Sequence, residues 1–188
     1  MCKLTFIFSS MNSGKSLALL AKNYMLNEKG FTTVLMKPEV DDRSEHISSR
    51  LGIEQKCSII GRNDLPSTYV LNSDSQRPNF VLVDEAQFLN REQIWDLANL
   101  VDNWNIDVCC YGLKLNWQGD FFEGSHELFK IADELEPIEN YCKYNKGAPA
   151  FFHVKLGGSD DSVEVGAEEL YESVSRKEWS KWWQTKKQ

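Results

Sequence analysis

The segment Ser9-Ser10-Met11-Asn12-Ser13-Gly14-Lys15-Ser16 is the part of this 188-residue chain best equipped for chemistry. It fits the template G-x-x-x-x-G-K-[ST] except at the first position, where Ser9 replaces glycine. In such a loop, backbone N–H groups converge on a phosphate, and a following helix N-terminus adds its own. Lys15 supplies a mobile positive charge for the outer phosphates, and the Ser16 hydroxyl suits a magnesium ion. Gly14 permits close backbone approach. Ser9 is admissible only if the first turn needs no positive φ. A second set of reactive groups is Asp84-Glu85-Ala86-Gln87-Phe88, directly after an apolar run. There Asp84 reads as the acid on the magnesium side, acting directly or through water. Glu85 then faces the acceptor and takes a proton from a hydroxyl or a water. A phosphate loop with two carboxylates suits a kinase and an ATPase equally, so the acceptor decides.

These groups must be positioned by the elements around them. Leu4–Phe8 reads as a buried strand, Ser16–Lys29 as a helix with Gly30 at its C-cap, and Thr32–Lys37 as the next strand ended by Pro38. Asn79–Val83 and Ile106–Gly112 are further buried strands, separated by a helix over Arg91–Asn103. Strands alternating with helices imply a parallel sheet whose carboxyl ends share one edge. The polar stretch Glu39–Gly52 reads as a loop with one short helical piece. Gly119–Asp133 reads as a loop and a helix, Pro137–Tyr144 and Ala150–Leu156 as short strands, and Gly157–Asp161 as a turn. The expected fold class is α/β: a phosphate-loop, RecA-like parallel sheet core over residues 1–136, with a small β-rich lid over 137–188.

Composition sets the outer limits. The length is that of one domain, or of one domain with a small appendage, and is large enough to need no disulfide or metal staple. A net charge of −7 argues against a general nucleic-acid binder, but not against a local pocket for a small anion. No run approaches a membrane span, and MCKLTFIFSS lacks a signal-peptide cleavage site. The five cysteines, Cys2, Cys57, Cys109, Cys110 and Cys142, form no framework and are expected to be free thiols in a reducing cytoplasm. His46, His126 and His153 show no ligand spacing.

At this level of detail the sequence resembles the type II thymidine kinases, of the bacterial and phage branch. Ser9–Ser16 is similar to their phosphate loop, and Val40-Asp41-Asp42-Arg43 to their D-x-R segment. Ser49-Arg50-Leu51-Gly52 is similar to their S-R-I-G, and Asp84-Glu85-Ala86-Gln87-Phe88 to D-E-x-Q-F. Tyr111-Gly112-Leu113 and Gly119-Asp120-Phe121-Phe122-Glu123-Gly124-Ser125 resemble two further signatures, so the likeness spans nearly the whole chain. It implies a homotetrameric, cytoplasmic enzyme that transfers the γ-phosphate of ATP to the 5′-hydroxyl of thymidine with Mg²⁺, acting on neither nucleic acid nor membrane. By this resemblance Glu85 is the general base, and Ser9–Ser16, Arg43 and Asp84–Gln87 serve the nucleotide. Ser16 and Asp84 serve the metal. Met11, Phe88, Leu113, Trp117 and Tyr171 form the pocket for the base.

The sequence also departs from that family. Lys114-Leu115-Asn116-Trp117 replaces the bacterial R-T-D-F, which bears on nucleoside choice. Most members bind structural zinc through two cysteine-bearing pairs. Here Cys142 has no cysteine close behind it, Ser175 stands where a Cys is expected, and Glu178 where a His or Cys is expected. Four ligands cannot be assembled, so no zinc is expected. Gly166-Ala167 reduces the Gly-Gly of the loop over the nucleoside. Tyr171, Val174, Glu178, Trp179, Trp182 and Trp183 fall at helical spacing and suggest an amphipathic helix docked on the lid or on a neighbour. Two functional readings follow: an active thymidine kinase, or a repurposed nucleotide-binding relative with altered nucleoside choice or lost activity.

Overall fold

Strands β1 (Leu4–Ser9), β2 (Thr33–Pro38), β5 (Ser58–Ile60), β6 (Phe80–Val83), β7 (Asp107–Leu113) and β8 (Glu134–Pro137) pair side by side. All five pairings are parallel, in the order β5-β2-β6-β7-β1-β8. The structure, a computed structural model, describes residues 2–39, 44–71, 77–157 and 170–186. Helices α1 (Lys15–Glu28), α2 (Pro66–Leu71), α3 (Arg91–Trp104), α4 (Glu123–Ile131) and α5 (Arg176–Lys186) complete the frame. Two antiparallel pairs, β3 (His46–Ser48) with β4 (Glu54–Lys56) and β9 (Phe152–Lys155) with β10 (Tyr171–Val174), stand outside the main sheet.

The sheet is covered on both sides, which is why its strands read as continuous apolar runs. Leu4, Phe6, Met36, Val81, Val83, Val108 and Cys110 face α3 and α4. Their alternates Ile7, Leu35, Leu82, Cys109 and Tyr111 face α1. The adjacent cysteines 109 and 110 thus point to opposite layers, and all five thiols are free. Helix α3 starts at a capping box, with Asn90 Oδ1 accepting from the Gln93 N–H and Gln93 Oε1 from the Asn90 N–H. Among the described residues no helix is long and apolar enough to cross a membrane.

Three local expectations are corrected. Among the described residues of 39–52 the expected short helical piece is replaced by strand β3, where Ile47 is buried against α1; residues 40–43 lie outside the described residues. Three residues are too few to show a period, and packing decides. The strand expected over Pro137–Tyr144 comes earlier: β8 covers Glu134–Pro137, and the Ile138 N–H makes a last bond to the Phe8 carbonyl at 2.9 Å. Tyr171 and Val174 belong to β10, not to the tail helix, because the backbone of Tyr171–Val174 pairs with β9. The helix begins after Ser175, whose hydroxyl accepts from the Glu178 N–H at 3.4 Å.

A separate small cluster of Cys142, Ala150, Val154 and Val174, flanked by Phe152, Trp179 and Trp182, underlies the C-terminal segment. Helix α5 is held against it by aromatic contacts. Trp117 meets Trp182 and Trp183 edge-on at centroid distances of 5.8 and 5.9 Å, and Trp179 Nε1 donates to the Trp117 carbonyl at 2.9 Å. Gly119 makes this possible, since a Cβ there would lie 2.6 Å from the Trp179 ring. Trp179→Ala is expected to cost about 2 kcal/mol and to lower Tm by about 4–8 °C; differential scanning calorimetry measures it, and an unchanged Tm contradicts the docking.

Candidate active site

The phosphate loop follows β1 directly and leads into α1. Ser9 closes β1 and carries no positive φ; those fall on Asn12 (φ 59°) and Gly14 (φ 81°). The absence of the first glycine is therefore harmless. The loop is gripped from behind. Ser9 Oγ donates to the Ile138 carbonyl at 2.8 Å, and Ser10 Oγ donates to that of Ala150 at 2.6 Å. Asn140 Nδ2 donates both to Ser10 Oγ (3.0 Å) and to the Met11 carbonyl (3.1 Å), and Ser173 Oγ donates to that same carbonyl at 2.5 Å. Inside the loop, Lys15 Nζ and Ser13 Oγ donate to the Ser10 carbonyl at 2.9 and 3.0 Å.

The acidic pair sits where β6 ends, on the same edge of the sheet as the loop. Asp84 is only 4% exposed and accepts from the Glu85 N–H at 3.0 Å and from the Ser16 hydroxyl. Burial, and next the neighbouring Glu85 charge, push the Asp84 carboxyl well above the usual range; the bonds from Ser16 and from the Glu85 N–H, and the Lys15 charge, oppose them. Glu85 adopts the left-handed conformation (φ 51°, ψ 34°), strained for a non-glycine residue. Its carboxylate is fixed by Gln87. Leu113 donates its N–H to Gln87 Oε1 at 3.0 Å, which leaves Gln87 Nε2 to donate to Glu85. Gly112 leaves the room, as a Cβ there would lie 2.8 Å from Gln87 Oε1. Ala86 and Phe88 complete this turn, and Phe88 packs edge-on against Phe122 at 5.5 Å.

Two adjoining cavities open here. One, about 230 Å³, is bounded by Gly14, Lys15, Ser16, Arg50 and Glu85 among others. Its size suits a phosphate chain better than a whole ligand, for which ~300–1,000 Å³ is usual. The other, about 400 Å³, is bounded by Asn140, Tyr171 and Ser173 among others. A cavity of a size for phosphates, a carboxylate held ready and a second space beside it suit phosphoryl transfer between two bound molecules. The thymidine kinase family model matches residues 2–179. The chain belongs to the thymidine kinase family. It is 40% identical over 185 residues to a thymidine kinase of Streptococcus thermophilus, covering 95% of this chain and 94% of that one. It is 38% identical over 186 residues to one of Shewanella oneidensis (94% and 96% covered). It is 38% identical over 190 residues to one of Xanthomonas axonopodis pv. citri (96% and 90% covered).

In this thymidine kinase relative the sequence-expected residues fall into four groups. Residues Ser9–Ser16, Asp84, Glu85, Ala86, Gln87 and Leu113 come together as described. Tyr171 lines the second cavity and meets His153 edge-on at 5.6 Å. Trp117 is 4% exposed, with the tryptophans of α5 as neighbours. Arg43, with Val40–Asp42 and the loop bearing Gly166 and Ala167, lies outside the described residues. Cys142 is brought beside Ser175: burial raises its thiol pKa, but N–H groups of Ser175, Asn145 and Tyr144 turned to the sulfur outweigh this and lower it. No cluster of three metal-binding side chains forms among the described residues. Sequence reasoning missed Asn140, Ser173 and Phe122. Nothing marked Asn140 or Ser173, whose partners lie about 130 and 162 positions away, whereas Phe122 lay in a recognised signature.

Two predictions follow from this geometry. Asn140→Ala removes two bonds that hold the loop and is expected to raise the KM for ATP about 5–30-fold, from a loss of ~1–2 kcal/mol; initial-rate kinetics decide, and an unchanged KM contradicts the grip. His153 is buried, and burial together with the Lys15 charge pulls its pKa down to about 3. The unfolded chain, with a value near ~6.5, binds the proton first. Stability contributed by neutral His153 is therefore complete above about pH 6.5 and falls toward pH 3, by up to ~1.4 kcal/mol per pH unit. Urea melts from pH 7 to 4 should show this limb, and His153→Gln should flatten it.

Proposed function

We propose that this kinase transfers the γ-phosphate of ATP to the 5′-hydroxyl of thymidine, with Glu85 as general base. The observation that carries this reading is the Leu113–Gln87–Glu85 chain of hydrogen bonds, which holds a carboxylate at the edge of the phosphate cavity. The 5′-O–H gives its proton to Glu85. The oxygen lone pair forms the new bond to the γ-phosphorus, and the bond from that phosphorus to the β-bridging oxygen breaks, leaving its electron pair on ADP. The products are thymidine monophosphate, ADP and one proton. The Lys15 ammonium and the loop amides hold the phosphates while charge shifts.

The residues fit a magnesium ion. Ser16 and Asp84 offer hard oxygen ligands, and the crowding of Asp84 by Glu85 is the arrangement a divalent cation relieves. Ser16 and Asp84 would hold Mg²⁺ there, directly or through water, and the ion would supply charge neutralisation for the phosphates. For the base we assign Met11, Phe88, Leu113, Trp117 and Tyr171; the buried ring of Tyr171 beside the second cavity supports this. Arg43 is assigned to the phosphates. We further propose residues 137–188 as a lid on the 1–136 core, supported by their separate apolar cluster. A homotetramer is in keeping with the exposed Tyr24, Met25 and Phe31. A cytoplasmic location is in keeping with five free thiols.

A panel of nucleosides with ATP and Mg²⁺ tests the activity. Thymidine is expected to be the best acceptor, and Glu85→Gln to lower kcat about 10²–10⁴-fold with little change in Tm. Transfer to no nucleoside, or a Glu85→Gln enzyme as fast as the wild type, overturns the reading.

A further inference from the structure

Arg50 belongs to a recognised motif but has no role in the account above. It sits in the turn that joins β3 to β4, closed by bonds from the Ser49 N–H to the Ile53 carbonyl (2.8 Å) and from the Gly52 N–H to the Ser49 carbonyl (3.0 Å). The hairpin is anchored at its base: Ile47 packs with Leu19 and Leu20 of α1, and Lys37 Nζ donates to the His46 carbonyl at 3.0 Å. Its tip therefore has a fixed place over the phosphate loop. Arg50 Nη2 donates to Asn12 Oδ1 at 2.6 Å, and Asn12 is the loop residue with φ 59°.

The position of this contact is informative. Among the described residues, Asn12 and Arg50 are the two that border both the phosphate cavity and the cavity lined by Tyr171. A phosphoryl group passing from one bound molecule to the other crosses that border. Lys15 reaches the phosphates from the start of α1, whereas Arg50 arrives from a different element. A guanidinium is charged at every working pH and presents several N–H donors in one plane, a match for phosphoryl oxygens that an ammonium lacks. In phosphoryl transfer the charge on those oxygens is what a protein stabilises.

We propose that Arg50 is the cation that holds the phosphoryl group in transit, binding its oxygens as the bond to the β-bridging oxygen breaks and the bond to the acceptor oxygen forms. The proposal rests on reading residues 9–16 as the donor site. A stabiliser of the transition state should affect kcat more than binding.

The test uses the full-length protein and the variants Arg50→Ala, Arg50→Lys and Lys15→Ala, with kcat and both KM values from initial rates and ADP affinity from titration with a fluorescent ADP. Arg50→Ala is expected to lose about 100-fold or more in kcat, with Tm, the KM for thymidine and ADP affinity each within about threefold or a few degrees of wild type. Arg50→Lys should recover little of this. Guanidinium ion at millimolar concentration should raise the rate of Arg50→Ala and leave the wild type unaffected. A kcat for Arg50→Ala within threefold of wild type overturns the proposal. So does a fall in kcat matched by an equal fall in ADP affinity without guanidinium rescue, which makes Arg50 a mere prop for the hairpin. Full activity in Lys15→Ala is a different failure, that of the donor-site reading itself.

Discussion

The site depends on which way a few peptide groups face. In a planar trans peptide, N–H and C=O point to opposite sides. Holding the Met11 carbonyl from behind therefore turns the Asn12 amide the other way, toward the place where a phosphate is to sit. That hold comes from Asn140 and Ser173, while Lys15 and Ser13 tie the Ser10 carbonyl from inside the loop. Ser10 is almost fully buried, so its hydroxyl must be satisfied, and Ala150 and Asn140 satisfy it. The phosphate loop is thus shaped as much by Ile138, Asn140, Ala150 and Ser173 as by its own sequence. Ser173 and Tyr171 lie two apart on β10, so one short strand faces both the loop and the neighbouring cavity.

The acidic end of β6 works by the same logic of enforced placement. A left-handed glutamate costs of order ~1–3 kcal/mol and persists only where its surroundings determine it. Here the surroundings are Gln87, itself oriented by the last strand-end amide of β7, and a glycine beneath it. Because β7 lies beside β6, the Leu113 amide at its end can tie the base into the sheet through the Gln87 side chain. The C-terminal segment solves its own problem of a small core by aromatic stacking: Trp179, Trp182 and Trp183 lie over Trp117 and Phe152. Cys142 keeps N–H groups directed at its sulfur, and Ser175 both borders that thiol and caps α5.

Much of the core was legible because it is local. The strands ending at Ser9, Val83 and Leu113 announce themselves as apolar runs, since a doubly covered parallel sheet needs both faces apolar. The helix after the phosphate loop follows from its apolar spacing. The short elements were not legible. His46–Ser48 and Glu54–Lys56 are three residues each, and β8 carries two glutamates on an exposed edge. The helical spacing of Tyr171 and Val174 was misleading, because hydrogen bonds to β9 set their backbone.

The sequence by itself determined the chemistry: a lysine, hydroxyls and loop amides for phosphate, two carboxylates at a strand end, and membership of a kinase family. Those are matters of residue type and short spacing. Only the tertiary structure decided how the groups are aimed. It set Glu85 against Gln87, turned Trp117 toward α5, brought Asn140 and Ser173 to the back of the loop, and laid Arg50 across the border between two cavities. The physical reason is distance along the chain. A hydrogen bond between residues 26, 38 or 162 positions apart leaves no mark on the periodicity of either segment, yet such bonds orient the Gln87 that holds Glu85, place Arg50 and grip the loop from behind.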